Sequence, residues 1–394
     1  MRRTLSKASS IHLDALRGVA ALSVLCAHSG QMFPCLEAPH GIVCTTFACI
    51  FTLAHEWVMV FFVLSGYFVG GSVLRAQKEN RWHWKDYLIR RLTRLYLVLL
   101  PALFLGGILD GVGVYLWGHG AAYPGTSWFH FAATDIRPNL TFPVVLANLF
   151  FQQHLRIVIL GSNGPLWSLA NEFWYYLLFP ALLVLFHRDT KLYRRAILVG
   201  CFGIWCWYVR LANVVLFIPW LMGAALAIAP EWQPKTERMR RCVFLVSVLQ
   251  FMAVMAVVGM YLVTGAPFSS FFHHSLRSIP ISYLPVTIST AIMIWSLLQT
   301  ARWEGPVFYQ RIARRIAASS YSLYLLHAPA IVFLCMLCKF PRDNSDHVLM
   351  GVGVMVLVWI YTQCVYECFE KHTEQVRKWI VSRIDFAKKV SVAG

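Results

Sequence analysis

The sequence predicts an all-α polytopic membrane protein: a single bundle of about ten transmembrane helices with both termini in the cytoplasm. Three observations predict it. Of 394 residues, 58% are hydrophobic and 13% are charged, whereas soluble domains carry about 25% charged residues. Apolar runs long enough to cross a hydrocarbon core of ~30 Å recur from one end of the chain to the other. The basic residues are also segregated: residues 1–17, 75–94, 188–195, 230–241, 301–315 and 371–389 hold 29 of the 35 Lys and Arg. Such bias marks cytoplasmic connections. A net charge of +17 in this arrangement reads as membrane orientation, with no nucleic-acid partner.

In order, the expected spans are Leu16–Phe33, Trp57–Leu74, Leu95–Trp117, Leu166–Phe186, Ala196–Leu211, Val214–Ala229, Cys242–Val263, Tyr283–Thr300, Ile316–Leu337 and Val348–Phe369. Ten is even, as two cytoplasmic termini require. The stretch 144–160 is also apolar. It contains the amphipathic NLFFQQHLRI, and an eleventh crossing there would place the basic RDTKLYRR outside, so it is expected to be interfacial or re-entrant. The longest outward connections are 34–56, 118–143 and 265–282. Residues 1–370 are expected to form the membrane domain and 371–394 a short basic cytoplasmic tail. The first span has no small-residue cleavage site after it and is expected to remain.

Eleven cysteines show no paired CxxC spacing, so no metal site is expected. A disulfide among Cys35, Cys44 and Cys49, in or beside the first outward connection, is open. Pro101, Pro165, Pro180, Pro219 and Pro285 lie at or inside span ends, where neighbours must satisfy the carbonyls that proline frees.

Ionisable groups inside spans are costly and point to function. Arg17 and His28 are eleven positions apart, close to one face of a helix and about 16 Å apart along it. Between them Ala20, Ala21 and Val24 leave an apolar groove, in which a donor with an anionic head at Arg17 could place its reactive end at His28. Asp14, at i−3, can pair with Arg17 and fix its guanidinium as a fork for phosphate. The bland alternative is a snorkelling arginine and a hydrogen-bonded core histidine.

In RRLTRLY, Arg90, Arg91 and Arg94 open the third span, and Arg91 and Arg94 share a face as a cationic fork, unless they are ordinary positive-inside anchors. In GPLWSLANEFWYY, Ser168, Glu172 and Tyr176 recur every four residues. Glu172 needs a partner within the bundle, and His28 and His327 are the expected ones. In SSYSLYLLHAP, Ser320, Tyr324 and His327 form another stripe, with His327 at the depth of His28. A Tyr–His pair alone is more often helix–helix glue. Ser65 stands beside Gly66, which reads as close helix packing, with no base placed near it.

Taken together, LDALRGVAALSVLCAH, FFVLSGYFVG, RRLTRLY, GPLWSLANEFWYYLLFP and SYSLYLLHAP resemble the acyltransferase-3 family of integral membrane acyltransferases, in order and across nearly the whole chain. The resemblance implies transfer of an acyl group, usually acetyl from cytoplasmic acetyl-CoA, to a sugar hydroxyl of a surface or secreted glycan or lipid-linked saccharide on the far side of the inner membrane. It makes Arg17 and His28 the central pair, Arg91 and Arg94 coenzyme-A contacts, and Glu172 the acid of WSLxxE. Asp14, Ser168, Tyr176, Tyr324 and His327 become possible acceptor contacts or supports. The chain departs at YECFEK, where many members carry Glu-x-Pro, so Glu367 is carried over only weakly. The extracytoplasmic domain fused to some members is not expected. The rival class is a proton-coupled transporter of an anionic solute, against which stands the lack of a detectable internal repeat.

Overall fold

A computed structural model describes residues 5–33, 41–118, 129–130, 132, 135–185, 190–209, 211–232, 234–264, 283–339 and 347–393. These residues form helices and turns, with no β-strand among them. In chain order the helices are α1 Lys7–Gly30, α2 Gly41–Phe51, α3 Ala54–Ser65, a π-helical turn Gly66–Gly70, α4 Gly71–Lys78 and α5 Trp84–Trp117. There follow α6 Phe142–Leu149, α7 Leu166–Leu185, α8 Leu192–Tyr208, α9 Leu211–Val215, α10 Phe217–Leu226 and α11 Glu237–Thr264. The chain closes with α12 Tyr283–Thr300, α13 Val307–Leu337, α14 His347–Cys368 and α15 Thr373–Ala393.

Eight helical stretches are long and apolar enough to cross a membrane, and Asn213–Leu226 is a shorter apolar one. The protein is therefore a multi-pass membrane protein built of helices. All ten expected apolar segments are helical, but the fifth and sixth fall short. α8 has 17 residues and opens on Arg194 and Arg195. The sixth segment is broken between α9 and α10, because the Pro219 ring excludes the carbonyl of Val215 from an α-helical turn.

One connection, within 34–56, differs in kind from expectation, whereas 144–160 has the short, non-spanning form expected of it. Part of the loop expected over 34–56 is the helix α2, in which Thr45 and Thr46 return their hydroxyls to the carbonyls of Gly41 and Ile42, hiding polar groups that would otherwise favour a loop. The segment 144–160 is one short helix, α6, followed by turns, so it does not cross. Cys35 lies outside the described residues, as do half of the outward stretch 118–143 and all of 265–282; Cys44 and Cys49 are free thiols.

α13 packs along α1, α5 and α14, and α3 packs on α1, α10 and α12. The prolines of this centre are answered by neighbours. Pro329 in α13 removes the N–H that would bond the carbonyl of Leu325, and the side-chain amide of Asn163 donates to that carbonyl at 2.8 Å. Pro180 in α7 does the same to Tyr176, whose carbonyl accepts the hydroxyl of Tyr87 at 2.9 Å.

The turn before α7 is held equally firmly. Gly161 has φ +56°, and buried Asp110 of α5 accepts both the backbone N–H and the hydroxyl of Ser162, each at 2.7 Å. This clamp fixes where α7 begins and hence where its polar stripe lies.

The tightest crossing is α3 against α10. A methyl group on Gly66 would overlap the backbone carbonyl of Trp220, and one on Gly223 would overlap that of Val63. Small residues let two membrane helices touch backbone to backbone. Gly66→Ala is therefore expected to lower stability by about 2 kcal/mol or more, read as reduced abundance and an earlier thermal unfolding transition of detergent-purified protein. Wild-type unfolding behaviour for Gly66→Ala would refute this close contact.

Candidate functional site

Two cavities lie one above the other in the bundle, and they share no lining residue. The first, of about 280 Å³, gathers Arg17 from α1, Ser65 from the end of α3, Arg91 and Arg94 from α5, Ser168, Glu172 and Tyr176 from α7, and Tyr321 and Tyr324 from α13. The second, of about 580 Å³, lies at the C-terminal end of α1 and is lined by His28 together with His55, His130, His154 and Trp167.

The structure brings the three expected arginines to one cavity. Arg17 is paired with Asp14 at 3.3 Å. Arg91 donates to the hydroxyl of Ser72 at 3.4 Å and lies over the rings of Tyr87 and Tyr176. Arg94 lies over the ring of Tyr321. Arg90, by contrast, turns back to the carbonyl of Asp86 on the exposed side.

Three buried polar atoms of this lining have no hydrogen-bond partner among the described residues: the Nε atoms of Arg17 and Arg91 and the hydroxyl of Tyr321. Buried donors left unmade cost about 1–3 kcal/mol each. Their convergence on one cavity fits a site for a polar, anionic ligand.

Glu172 does not meet His28 or His327. Its Oε1 accepts the hydroxyl of Ser65 at 2.6 Å and that of Tyr176, one turn further along α7. The indole N–H of Trp220 donates to the same serine oxygen at 3.2 Å. The reason is the depth of the α7 stripe: with the turn before α7 held by Asp110, Trp167 faces the histidine cavity while Ser168, Glu172 and Tyr176 line the arginine cavity.

Ser65 is therefore both a packing position beside Gly66 and a cavity residue. The π turn that follows it, a feature frequent at functional sites, accompanies this double duty. No sequence signal distinguished the second role.

The groove expected between Arg17 and His28 is closed. Ala20, Ala21 and Val24 are fully buried where α1 meets α13, so small residues there serve close approach. Open space above Arg17 is bounded instead by Ser65, Leu95, Leu169 and Tyr324.

A second carboxylate was missed. Glu367 is exposed and paired with Lys371 at 2.6 Å. Glu370, three residues on, is the buried one. It accepts the N–H of Ser322 at 3.0 Å and its hydroxyl at 2.6 Å, and its charge acts on Arg94 and Arg17. Among the several acids of YECFEKHTE, only the tertiary packing singles it out.

His28 and His327 meet. His28 Nδ1 is 2.7 Å from His327 Nε2, with the rings stacked. His327 Nδ1 is 3.0 Å from the carbonyl of Leu323, which only accepts, so that nitrogen carries its proton. In the neutral ring, His327 Nε2 is then an acceptor, His28 Nδ1 donates to it, and the lone pair of neutral His28 resides on Nε2.

Between the cavities stands a septum. Tyr324 donates its hydroxyl to the carbonyl of Pro165 at 3.1 Å, shares a hydrogen bond with Ser168 at 2.8 Å and packs against Phe61. Ser320 lines the arginine cavity just below. Among the described residues, no group of three or more His, Cys, Asp or Glu is placed to hold a metal ion.

The membrane helix bundle thus holds an arginine-lined cavity on one side of a septum and a histidine-lined cavity on the other. The family described as "Acyltransferase domain" matches residues 11–364, and the chain belongs to that family.

The chain is similar to the peptidoglycan O-acetyltransferase OatA of Listeria monocytogenes, with 24% identity over 387 residues covering 88% of this chain and 53% of that protein. It is also similar to the putative peptidoglycan O-acetyltransferase YrhL of Bacillus subtilis, with 24% identity covering 91% of this chain and 54% of that one. The chain thus spans about half the length of these relatives. No solved structure matches it.

Proposed function

We propose that the protein is a membrane O-acetyltransferase that moves an acetyl group from acetyl-CoA, bound at the arginine end, to a sugar hydroxyl arriving in the histidine cavity. The observation that carries this reading is the His28–His327 pair at the wall of the outer cavity, which makes Nε2 the basic nitrogen of a neutral His28. Family membership supplies the acyl-transfer chemistry. The relatives, named as peptidoglycan O-acetyltransferases, support a glycan acceptor. We infer a surface or secreted polysaccharide, or its lipid-linked precursor, and residence in the cytoplasmic membrane with the arginine cavity and both termini inside. Residues 1–370 form the transferase domain in this reading, and 371–394 its basic tail.

Arg17, Arg91 and Arg94 hold the phosphates of the donor, the guanidinium fork being suited to phosphate oxygens. The pantetheine arm carries amides and a hydroxyl, and it rises past Ser65, Glu172, Tyr176 and Tyr321, whose polar atoms suit it. The thioester reaches His28 when Tyr324 turns out of the septum, exchanging its bonds to Ser168 and Pro165. His28 Nε2 accepts the proton of the acceptor hydroxyl as its oxygen attacks the thioester carbonyl. The carbon–sulfur bond breaks, and the coenzyme-A thiolate takes the proton from the imidazolium. His327 Nε2, accepting from His28 Nδ1, stabilises that imidazolium. Glu172 acts on the donor side, orienting the arm.

The test is a purified-protein assay with isotope-labelled acetyl-CoA and a polysaccharide acceptor, without an ion gradient. Labelled ester on the glycan with stoichiometric free CoA is expected. Solute flux across proteoliposomes without CoA release would instead establish a transporter. Label retained on the protein, and lost in His28→Ala, would place a covalent acetyl-imidazole between the two half-reactions.

A further inference from the structure

The histidine cavity has a chemical character of its own. Among its described lining residues, none is Lys, Arg, Asp or Glu. The described polar side chains are the imidazoles of His28, His55, His130 and His154, the indole N–H of Trp167, the hydroxyl of Thr52, which donates to the carbonyl of Ala48 at 2.7 Å, and the amide of Gln31, whose oxygen accepts the backbone N–H of His130 at 2.8 Å. A neutral imidazole donates from one ring nitrogen and accepts at the other, so the cavity presents both nitrogen donors and nitrogen acceptors. Aromatic area adjoins them: His55 stacks on Trp167 with centroids 5.7 Å apart, and His154 lies 6.1 Å from the same indole.

His154 is held there at a cost. It has φ +63°, and Phe151 in the same turn has φ +56°. Non-glycine residues in this region persist when their surroundings over-determine them, and they cluster at binding sites. The surroundings here are Asn148, whose amide donates to the carbonyls of Val144 and Val158 while its oxygen accepts the N–H of Leu160. A buried asparagine thus spends its bonding capacity on shaping a turn that points an imidazole at Trp167.

We propose that this cavity is a subsite for an uncharged pyranose, with Trp167, His55 and His154 as its specificity-determining wall and His28 at its floor. The inference rests on the acyl-transfer reading above and names the class of acceptor. The apolar C–H face of a pyranose buries against the rings, while its hydroxyls find imidazole donors and acceptors. The carboxylate of a uronic acid would be desolvated with no cation among the described wall residues to meet it.

The experiment uses the full-length protein in nanodiscs, without donor. Saturation-transfer NMR compares methyl β-glucopyranoside with methyl β-glucuronide, and CoA binding is measured on the same samples by calorimetry. The glucoside is expected to bind at least tenfold more tightly than the glucuronide. His154→Asn, which tolerates the left-handed backbone but removes the imidazole, and Trp167→Phe are each expected to weaken glucoside binding severalfold while CoA still binds.

Equal binding of the two sugars, binding of neither, or unchanged glucoside binding in both variants would overturn the proposal while leaving acyl transfer intact. Failure of the wild-type protein to bind CoA would instead bring down the acyl-transfer reading, and the sugar selectivity would stand or fall by the NMR result.

Discussion

His28→Ala is expected to lower acetyl transfer by at least about 10²-fold, in the range of about 10²–10⁴ associated with loss of a positioned general base. The affinity for acetyl-CoA is expected to stay near the wild-type value. The split follows from the two cavities: His28 lines the histidine cavity, whereas the three arginines line the other. Steady-state kinetics would show the loss in kcat with KM for the donor unchanged. A general protein defect would instead lower abundance, so transfer must be normalised to purified, folded protein. Should His28→Ala transfer acetyl at the wild-type rate, the assignment of the imidazole as base fails. Had the donor arm rested in the groove along Ala20, Ala21 and Val24, the same substitution would also weaken donor binding.

Arg91→Ala combined with Arg94→Ala is expected to raise the Kd for acetyl-CoA by about 10²-fold or more. A hydrogen bond to a charged group contributes about 1.5–3 kcal/mol, and each 1.4 kcal/mol is a factor of ten. The effect should weaken at high salt, since charge attraction is screened. Arg94 also neutralises buried Glu370, so part of any loss on removing Arg94 comes from stranding that carboxylate. Arg91→Ala alone avoids this difficulty, because Arg91 has no carboxylate hydrogen-bonded to it among the described residues. Lys at both positions keeps the charge without the planar fork, and it is expected to restore only part of the affinity. Calorimetry with CoA reads all three variants; a Kd within twofold of wild type for the double alanine protein would rule the arginines out as the phosphate site.

Most of the bundle was legible because a bilayer writes its demands plainly: apolar length, basic flanks and the cost of ionisable groups in hydrocarbon. Tyr283–Thr300 has the same bounds in sequence and structure. The misjudged elements have local causes. α2 reads as a loop until its threonine hydroxyls are seen bonded to their own helix, and the sixth span reads as continuous until Pro219 is placed against Val215.

At the site, the chain alone determined which residue types are improbable in a membrane and how they repeat along each helix. That sufficed to single out Arg17, His28, Arg91, Arg94, Glu172, Tyr324 and His327. It could not determine which helix faces meet, because periodicity fixes a face and leaves its partner open. Tertiary structure alone paired His28 with His327, turned Glu172 to Ser65 and Tyr176, and exchanged Glu367 for Glu370. It also closed the alanine groove and set Tyr324 as a septum between two cavities. The physical reason is that these outcomes depend on relative depth and rotation of packed helices. Those are set by distant devices such as the Asp110 clamp on Ser162 and the contact of Gly66 with the Trp220 carbonyl, whose members lie 52 and 154 positions apart.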